Sequence, residues 1–322
     1  MTSTLPPRTR RRLPAVLAPL AAAGVSLLAA QAVPFVGALM WGLIAGALVA
    51  NLLRGREGLE RQARASKPLI RLGVALLGLQ LSVSALVDVG IGAVLIIVAT
   101  VVVTFTTTLW LGPRLGVERE LTALIAAGFS ICGAAAIAAS QDAVRASQRN
   151  VAAAVALVTL FGTATMLAIP VLADLLHLSD TEAGIWAGAS IHEIAQVIAS
   201  ASLIGAATAP VAIAIKLGRV TALAPVVLVL ARRHGSTDAP GVPWFVLGFL
   251  AACLVGSTGL LPGLVTDAAS IAATVLLAAG MYGLGLGLTG RDLAGIGTRA
   301  VALGTIATLV AMGVPLLLLA IL

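Results

Sequence analysis

The sequence predicts an all-α, polytopic membrane protein with almost no soluble part. Of its 322 residues, 60% are hydrophobic and only 10% are charged, and the mean hydropathy is +1.09. Apolar stretches of about 20 residues, the length that crosses a bilayer as a helix, recur from Leu13 to Leu322 with short breaks. They are continuous and rich in Leu, Ala and Gly, whereas the strands of an outer-membrane barrel alternate apolar and polar residues.

Eleven hydrophobic segments follow one another along the chain. They cover residues 14–32, 34–53, 68–88, 91–111, 119–140, 150–173, 183–206, 210–231, 242–261, 265–289 and 295–321. Residues 1–12 contain four arginines, and we expect them to form a cytoplasmic N-terminus ahead of one transmembrane domain, 13–322. A cleavable signal peptide is the alternative interpretation of the first segment.

The loops predict the orientation, because cytoplasmic loops are enriched in Lys and Arg. The basic loop residues are Arg54, Arg56, Arg61, Arg64, Lys67, Arg71, Arg114, Arg119, Arg232, Arg233, Arg291 and Arg299. The linker from Asp174 to Glu182 has neither Lys nor Arg and is placed outside. We expect a multi-pass protein of the bacterial inner membrane, with the lipid bilayer as its surroundings. Nucleic acid is not an expected partner, since no basic face with interleaved aromatic residues is present.

Two internal repeats predict the architecture. An offset of 60 residues aligns Gly128–Ile131 with Gly188–Ile191, which defines tandem modules of about 119–178 and 179–238. An offset of 207 residues aligns Gly73 with Gly280, so the outer helices 34–111 and 242–321 also look duplicated.

The number of crossings depends on segments 119–140 and 183–206. If the repeats are inverted, each inner module crosses an odd number of times, which two re-entrant hairpins entering from opposite sides would achieve. This hypothesis gives nine full crossings, with Arg145 and Arg149 inside. Eleven ordinary crossings are the alternative.

Broken helices indicate a site, because irregular backbone at membrane depth occurs where it lines a cavity. Ser130–Ala134 combines a Ser with Gly133, and Ser190–Glu193 is its counterpart in the second module. Half-helix N-termini at such breaks would suit an anion. Simple helix packing explains Gly133 equally well.

A cluster of polar residues surrounds the second break, and ionisable residues at membrane depth are functional candidates. It consists of Ser190, His192, Glu193 and Gln196, with Lys216 and Arg219 one turn apart in the next helix. His192 and Glu193 can exchange a proton, and Lys216 with Arg219 supplies positive charge for an anion. The alternative is that Glu193 pairs with one of these cations and only locks two helices together.

The remaining candidates are weaker. Gln80 and Cys132 lie inside apolar segments and are candidates for lining a pathway, and Cys253 is also intramembrane. The two cysteines indicate neither a disulfide framework nor a zinc site. Nucleotide, zinc-protease and serine-hydrolase motifs are absent, so we predict neither an enzyme nor a cofactor.

Four motifs carry a family resemblance: Gly78–Ser82, Ser130–Ala134, His192–Val197 and Lys216–Val220. They resemble the bacterial YeiH-type family, whose members are labelled sulfate exporters, over nearly all of the chain after the first helix. The resemblance implies a secondary transporter with inverted repeats and broken helices, related to cation/proton antiporters and bile-acid-type symporters.

We therefore expect a secondary active transporter that exports a small anion, such as sulfate or an organic sulfonate or carboxylate, with proton coupling. In this hypothesis Lys216, Arg219, Ser130, Gly133, Ser190 and Gln196 bind the substrate, and His192 and Glu193 exchange the proton. A Na⁺/H⁺-type antiporter and a non-transporting membrane scaffold or sensor are the alternatives. A homodimer is compatible with the sequence.

Overall fold

The computed structural model describes residues 13–33, 37–52, 56–80, 90–205, 208–234, 244–286 and 297–322, and these ranges contain helices and no strand. The helices are α1 (Leu13–Ala32), α2 (Ala38–Leu52), α3 (Arg56–Leu77), α4 (Ile91–Arg114), α5 (Arg119–Ser130), α6 (Ala134–Ser140), α7 (Gln148–Leu175), α8 (Asp180–Ser190), α9 (Ile194–Ile204), α10 (Thr208–Val220), α11 (Leu223–Arg233), α12 (Trp244–Ser257), α13 (Gly263–Gly285) and α14 (Thr298–Leu319). The basic N-terminus 1–12, Arg54 and Arg291 lie outside the described residues.

The predicted all-α, multi-pass membrane fold is confirmed. Among the described residues, five helical stretches are long and apolar enough to cross a membrane: Ile91–Arg114, Gln148–Leu175, Thr208–Arg233, Gly263–Gly285 and Thr298–Leu319. Shorter apolar helices cover Val16–Ala32, Ala38–Leu52 and Trp244–Ser257. The number of crossings, the inner membrane and the cytoplasmic N-terminus stay predictions.

The outer helices α1, α2, α3, α12 and α13 pack together as one bundle. Glycines let α2 lie directly on α13: a Cβ at Gly42 would collide with the carbonyl oxygen of Ala278, and a Cβ at Gly46 with that of Tyr282. Because lipid is as apolar as a side chain, close van der Waals contact through small residues is what holds such a bundle together.

Helices α3 and α13 are counterparts in the 207-residue repeat, and their contacts are reciprocal. Gly73 lies against Leu277, and Gly280 lies against Ile70. An offset of 207 residues relates Gly73 to Gly280 and Ile70 to Leu277, so each contact is the repeat equivalent of the other. The two helices therefore run antiparallel about a local two-fold axis, which is the relation that an inverted repeat requires.

A second pair of contacts has the same symmetry. Gly285, at the end of α13, lies against Gly46 of α2, and Gly78, just after α3, lies against Cys253 of α12. These two contacts also exchange under the 207-residue offset. Both pairs of contacts are those that an inverted repeat with an offset of 207 residues would give.

Helices α4 to α11 and α14 form a second group, the inner bundle. The first broken segment returns to the face from which it enters this bundle. Helix α5 begins at Arg119 and α7 begins at Gln148. These two starts lie together, since the Asn150 side chain donates a 2.9 Å hydrogen bond to Glu118 Oε2. The segment between them, α5 followed by α6, therefore goes in and comes back.

The second broken segment makes the same excursion from the opposite face. Helix α8 begins at Asp180, and Gly205, which follows α9, lies against the Asp180 carboxylate. Between the two hairpins runs α7, whose 28 residues span about 42 Å. This geometry is the one that the re-entrant hypothesis describes, and the number of membrane crossings stays a prediction.

Sided labelling checks the two hairpins. In a Cys132→Ala, Cys253→Ala background, we expect Arg145→Cys to react with a membrane-impermeant maleimide from the cytoplasm and Leu178→Cys from outside, because the hairpins leave these positions on opposite sides of α7. The measurement compares right-side-out and inverted membrane vesicles. Eleven full crossings would reverse both results.

Candidate functional site

The two predicted breaks are present and lie side by side. Helix α5 ends at Ser130 and α6 begins at Ala134, whereas α8 ends at Ser190 and α9 begins at Ile194. The first break needs glycine, because Gly133 has φ +74°, a conformation that residues with a Cβ rarely adopt. A Cβ there would also collide with the Glu193 side chain.

Arg219, near the end of α10, joins the C-terminal ends of α5 and α8. Its guanidinium donates to the carbonyl oxygens of Phe129 at 2.9 Å and Ser130 at 3.2 Å. On the other side it donates to those of Ala189 at 2.6 Å and Ile191 at 3.2 Å. The side chain is fully buried, and its fixed fork of donors reaches both helix ends at once.

Lys216 lies one turn earlier on α10 and bridges the same two breaks. Its Nζ donates to the carbonyl oxygens of Ile131 at 2.8 Å and Ile191 at 2.7 Å. The side chain is fully buried. These bonds use two of the three donors that an ammonium offers.

Both cations therefore face carbonyl oxygens, the negative ends of two helix dipoles. The sequence suggested a lock formed by Glu193 with Lys216 or Arg219. Among the described residues the ion pairs are elsewhere, and the lock is made by the two cations with the backbone. Their predicted role in binding an anion stays a prediction.

Glu193 is the N-cap of α9 and is 8% exposed. Its carboxylate faces the backbone N–H of Gln196 in a capping box, and its own N–H donates to Gln196 Oε1 at 3.3 Å. Thr159 on α7 donates to Glu193 Oε1 at 3.2 Å. The carboxylate thus occupies the positive end of α9. Gly37, just before α2, also lies against it, so Glu193 is placed between the inner and outer bundles.

Gln196 ties the second break to α7. Its Nε2 donates to the Thr159 carbonyl oxygen at 3.3 Å and to Thr163 Oγ1 at 3.2 Å. A Cβ at Gly162 would collide with its amide. These three α7 residues were not among the predicted site residues. A signal existed, since the 60-residue offset places Thr159 opposite Arg219.

His192 is fully buried, and its ring lies 4.6 Å from the Phe129 ring, centroid to centroid. Within the described part of the chain, neither ring nitrogen has a hydrogen-bond partner. A buried, unpaired imidazole costs free energy. His192 is therefore a position where a water or a ligand that hydrogen-bonds to the ring would be stabilised.

The structure brings some of the other predicted residues together. Ser130 is buried, but its hydroxyl bonds back to the Ala126 carbonyl oxygen at 2.6 Å. Ser190 is also buried, and its Oγ has no partner among the described residues. Cys132 lies at the first break, 7% exposed. Gln80 lies apart, in the turn after α3 that packs against α12 and α13.

The described residues contain no group of three His, Cys, Asp or Glu that could hold a metal. The site provides two buried cations, one carboxylate and one imidazole. Such a set can balance an anion and exchange a proton.

Comparison with known proteins gives a family. Residues 14–304 match the family model described as "Conserved hypothetical protein 698". A UPF0324 membrane protein of Corynebacterium glutamicum is 40% identical over 82% of this chain and 79% of its own length. Those of Pseudomonas putida (36%; 95% and 92%) and Bacillus cereus (33%; 88% and 89%) are also similar. No solved structure matches.

The names of these relatives specify a membrane protein and state no substrate. They support the membrane family implied by the resemblance. Sulfate export, and the relation to cation/proton antiporters and bile-acid-type symporters, stay predictions.

Replacing Arg219 tests the backbone lock. We expect Arg219→Met to lower the free energy of unfolding by at least about 3 kcal/mol, because the carbonyl groups of Phe129, Ser130 and Ala189 lose a donor at about 1–3 kcal/mol each. Unfolding in mixed detergent micelles measures this. Arg233→Met is the matched control, since Arg233 is exposed at the end of α11; an equal loss in both variants would contradict the lock.

Proposed function

The chain belongs to the family of conserved hypothetical protein 698, an uncharacterised family of membrane proteins, and we propose that it is a secondary transporter that moves a small oxyanion together with a proton. The observation that carries this proposal is the buried set of Lys216, Arg219 and Glu193 at two helix breaks. In a membrane interior such charges are costly and mark substrate and ion paths.

The charge balance of this set depends on Glu193. Lys216 and Arg219 carry two positive charges, and at each break the negative C-terminus of one helix is offset by the positive N-terminus of the next, at about half a charge each. An ionised Glu193 therefore leaves about one positive charge in the set, and a protonated Glu193 leaves about two. Protonation thus strengthens the attraction of the buried site for an anion.

The geometry also links the proton to the binding surface. The ionised Glu193 carboxylate caps the N-terminus of α9, where a substrate oxygen would otherwise find free N–H groups. A neutral Glu193 is a weaker cap and leaves those donors for the substrate. The unpaired ring of His192 is next to Glu193 in sequence, and Lys216 bonds to the carbonyl oxygen of Ile191, two residues before Glu193. This ring and the third donor of Lys216 complete the proposed set.

Proton and anion are then taken up together and move in the same direction. An inward proton gradient would draw the anion inward, so export of sulfate or an organic sulfonate or carboxylate would need an outward gradient of the anion itself. The gradients of the proton and of the anion, rather than the site itself, therefore set the direction of flux.

One observation favours an anion over Na⁺. A sodium ion at a helix break takes carbonyl oxygens as ligands, and here the carbonyl oxygens of Ser130, Ile131 and Ile191 already accept bonds from Lys216 and Arg219. Two adjacent cations would also repel it.

Flux into proteoliposomes tests the proposal. With acid outside, we expect accumulation of at least one labelled anion among sulfate, an organic sulfonate and a carboxylate. Glu193→Gln resembles the protonated state, so it should keep anion exchange but lose accumulation driven by the proton gradient. Radiolabel counting with the gradient in each direction measures both.

Glu60→Gln is the matched control, because Glu60 is an exposed carboxylate on α3. It should transport as the unchanged protein does. Accumulation that survives in Glu193→Gln would overturn the coupling assignment. Silence across the anions, together with a Na⁺-dependent pH change, would support the cation antiporter instead.

A further inference from the structure

Helix α6 separates the first break from one face of the protein. It is seven residues long, so only about 10 Å of helix lie between Gly133 and Ser140. All seven residues are buried, and α6 contacts α3 and α2 of the outer bundle. A helix this short is not stable by itself, and its position therefore depends on those neighbours.

The contact of α6 with the outer bundle is closed. Ala138 and Ala139 face Ile70 and Val74 of α3 and Phe245 of α12 around a cavity of only about 10 Å³. That volume is at the lower limit for one water molecule. No substrate passes between α6 and α3 in this arrangement.

An ion pair fastens this contact at its outer end. Arg71 on α3 donates to Asp142, two residues after α6, at 2.8 Å. Among the described residues it is the ion pair that joins the two bundles, since the other, Arg64 with Glu60, lies within α3. Its members are 41% and 44% exposed, so they can separate into water.

Among the described residues, the equivalent helices of the opposite face lack this ion pair. The counterparts of Arg71 and Asp142 are Ala278 and Ser202, which carry no charge. Helix α9, the counterpart of α6, has an exposed side, with Ile198 at 41% and Leu203 at 65%. Two elements built on one plan are thus buried to different degrees.

We infer that the contact of α6 with α3 and α12 is a gate to the break, and that the Arg71–Asp142 ion pair is its latch. The inference rests on the proposed transport function, because only a transporter needs the break to be reached from this face. When the pair separates, α6 loses the tie that fixes its loop end to the outer bundle. The break at Cys132 and Gly133 then becomes accessible from the side of Arg71.

Cys132 is a native reporter of this opening. In a Cys253→Ala background, we measure its rate of alkylation by a membrane-impermeant maleimide in inverted vesicles, which expose the predicted cytoplasmic face. Arg71→Ala and Asp142→Asn should each raise the rate about two- to five-fold, the range expected for a half-exposed ion pair. The charge swap Arg71→Asp with Asp142→Arg should return it toward the original value.

Arg64→Ala is the matched control, since Arg64 pairs with Glu60 on the same helix and is 74% exposed. Rates unchanged by both single variants would overturn the latch, and so would an equal rise in Arg64→Ala. If Arg71→Ala does not fold, Asp142→Asn decides alone. Labelling needs no transported substrate, so a failed gate and a failed transport proposal give separate results.

Discussion

The bonds from two buried cations to the carbonyl ends of α5 and α8 are the constraint on which the inner bundle depends. In lipid no water is present to donate a hydrogen bond to a carbonyl oxygen, and leaving that oxygen unpaired costs several kcal/mol of free energy. A chain that breaks two helices at membrane depth must therefore supply donors there. Arg219 and Lys216 supply them, and each bonds to carbonyl groups of both breaks. The two breaks can therefore lie side by side at this depth only because the buried cations pair with their carbonyl groups.

Hydropathy and repeats predicted much of this fold from the sequence, because bilayer thickness and backbone satisfaction leave few choices. The breaks near Gly133 and His192 were readable from glycine, serine and charge within apolar runs. The bonding partners of Lys216 and Arg219 were not readable. A sequence shows that a cation lies deep in the membrane, but whether it faces a carboxylate, a carbonyl group or a ligand depends on side-chain directions set by tertiary packing. Thr159 and Gly162 were missed for the same reason, since each matters only through what packs against it.

The two modules share a backbone plan and differ in chemistry. In the first module, Gly133 and Ala136 stand where the second has Glu193 and Gln196. Small residues of one hairpin make room for the polar side chains of the other, as the contact between Gly133 and Glu193 shows. The titratable groups of the site thus lie in the second module, at positions where the first has small residues. Under the proposed function, this one site would be reached from both faces of the protein.

The span of the Arg219 contacts also bears on how the chain is made. Arg219 comes 90 residues after Phe129, whose carbonyl it binds, and synthesis at about 5–20 residues per second separates the two by roughly 5–18 s. During that interval the first hairpin has no permanent donor for its open carbonyl groups. Until then its carbonyl groups need hydrogen bonds from water or from the insertion machinery, and the hairpin reaches its final depth only once α10 has joined it. Assembly of the inner bundle therefore depends on α10, which brings both Lys216 and Arg219 to the first hairpin.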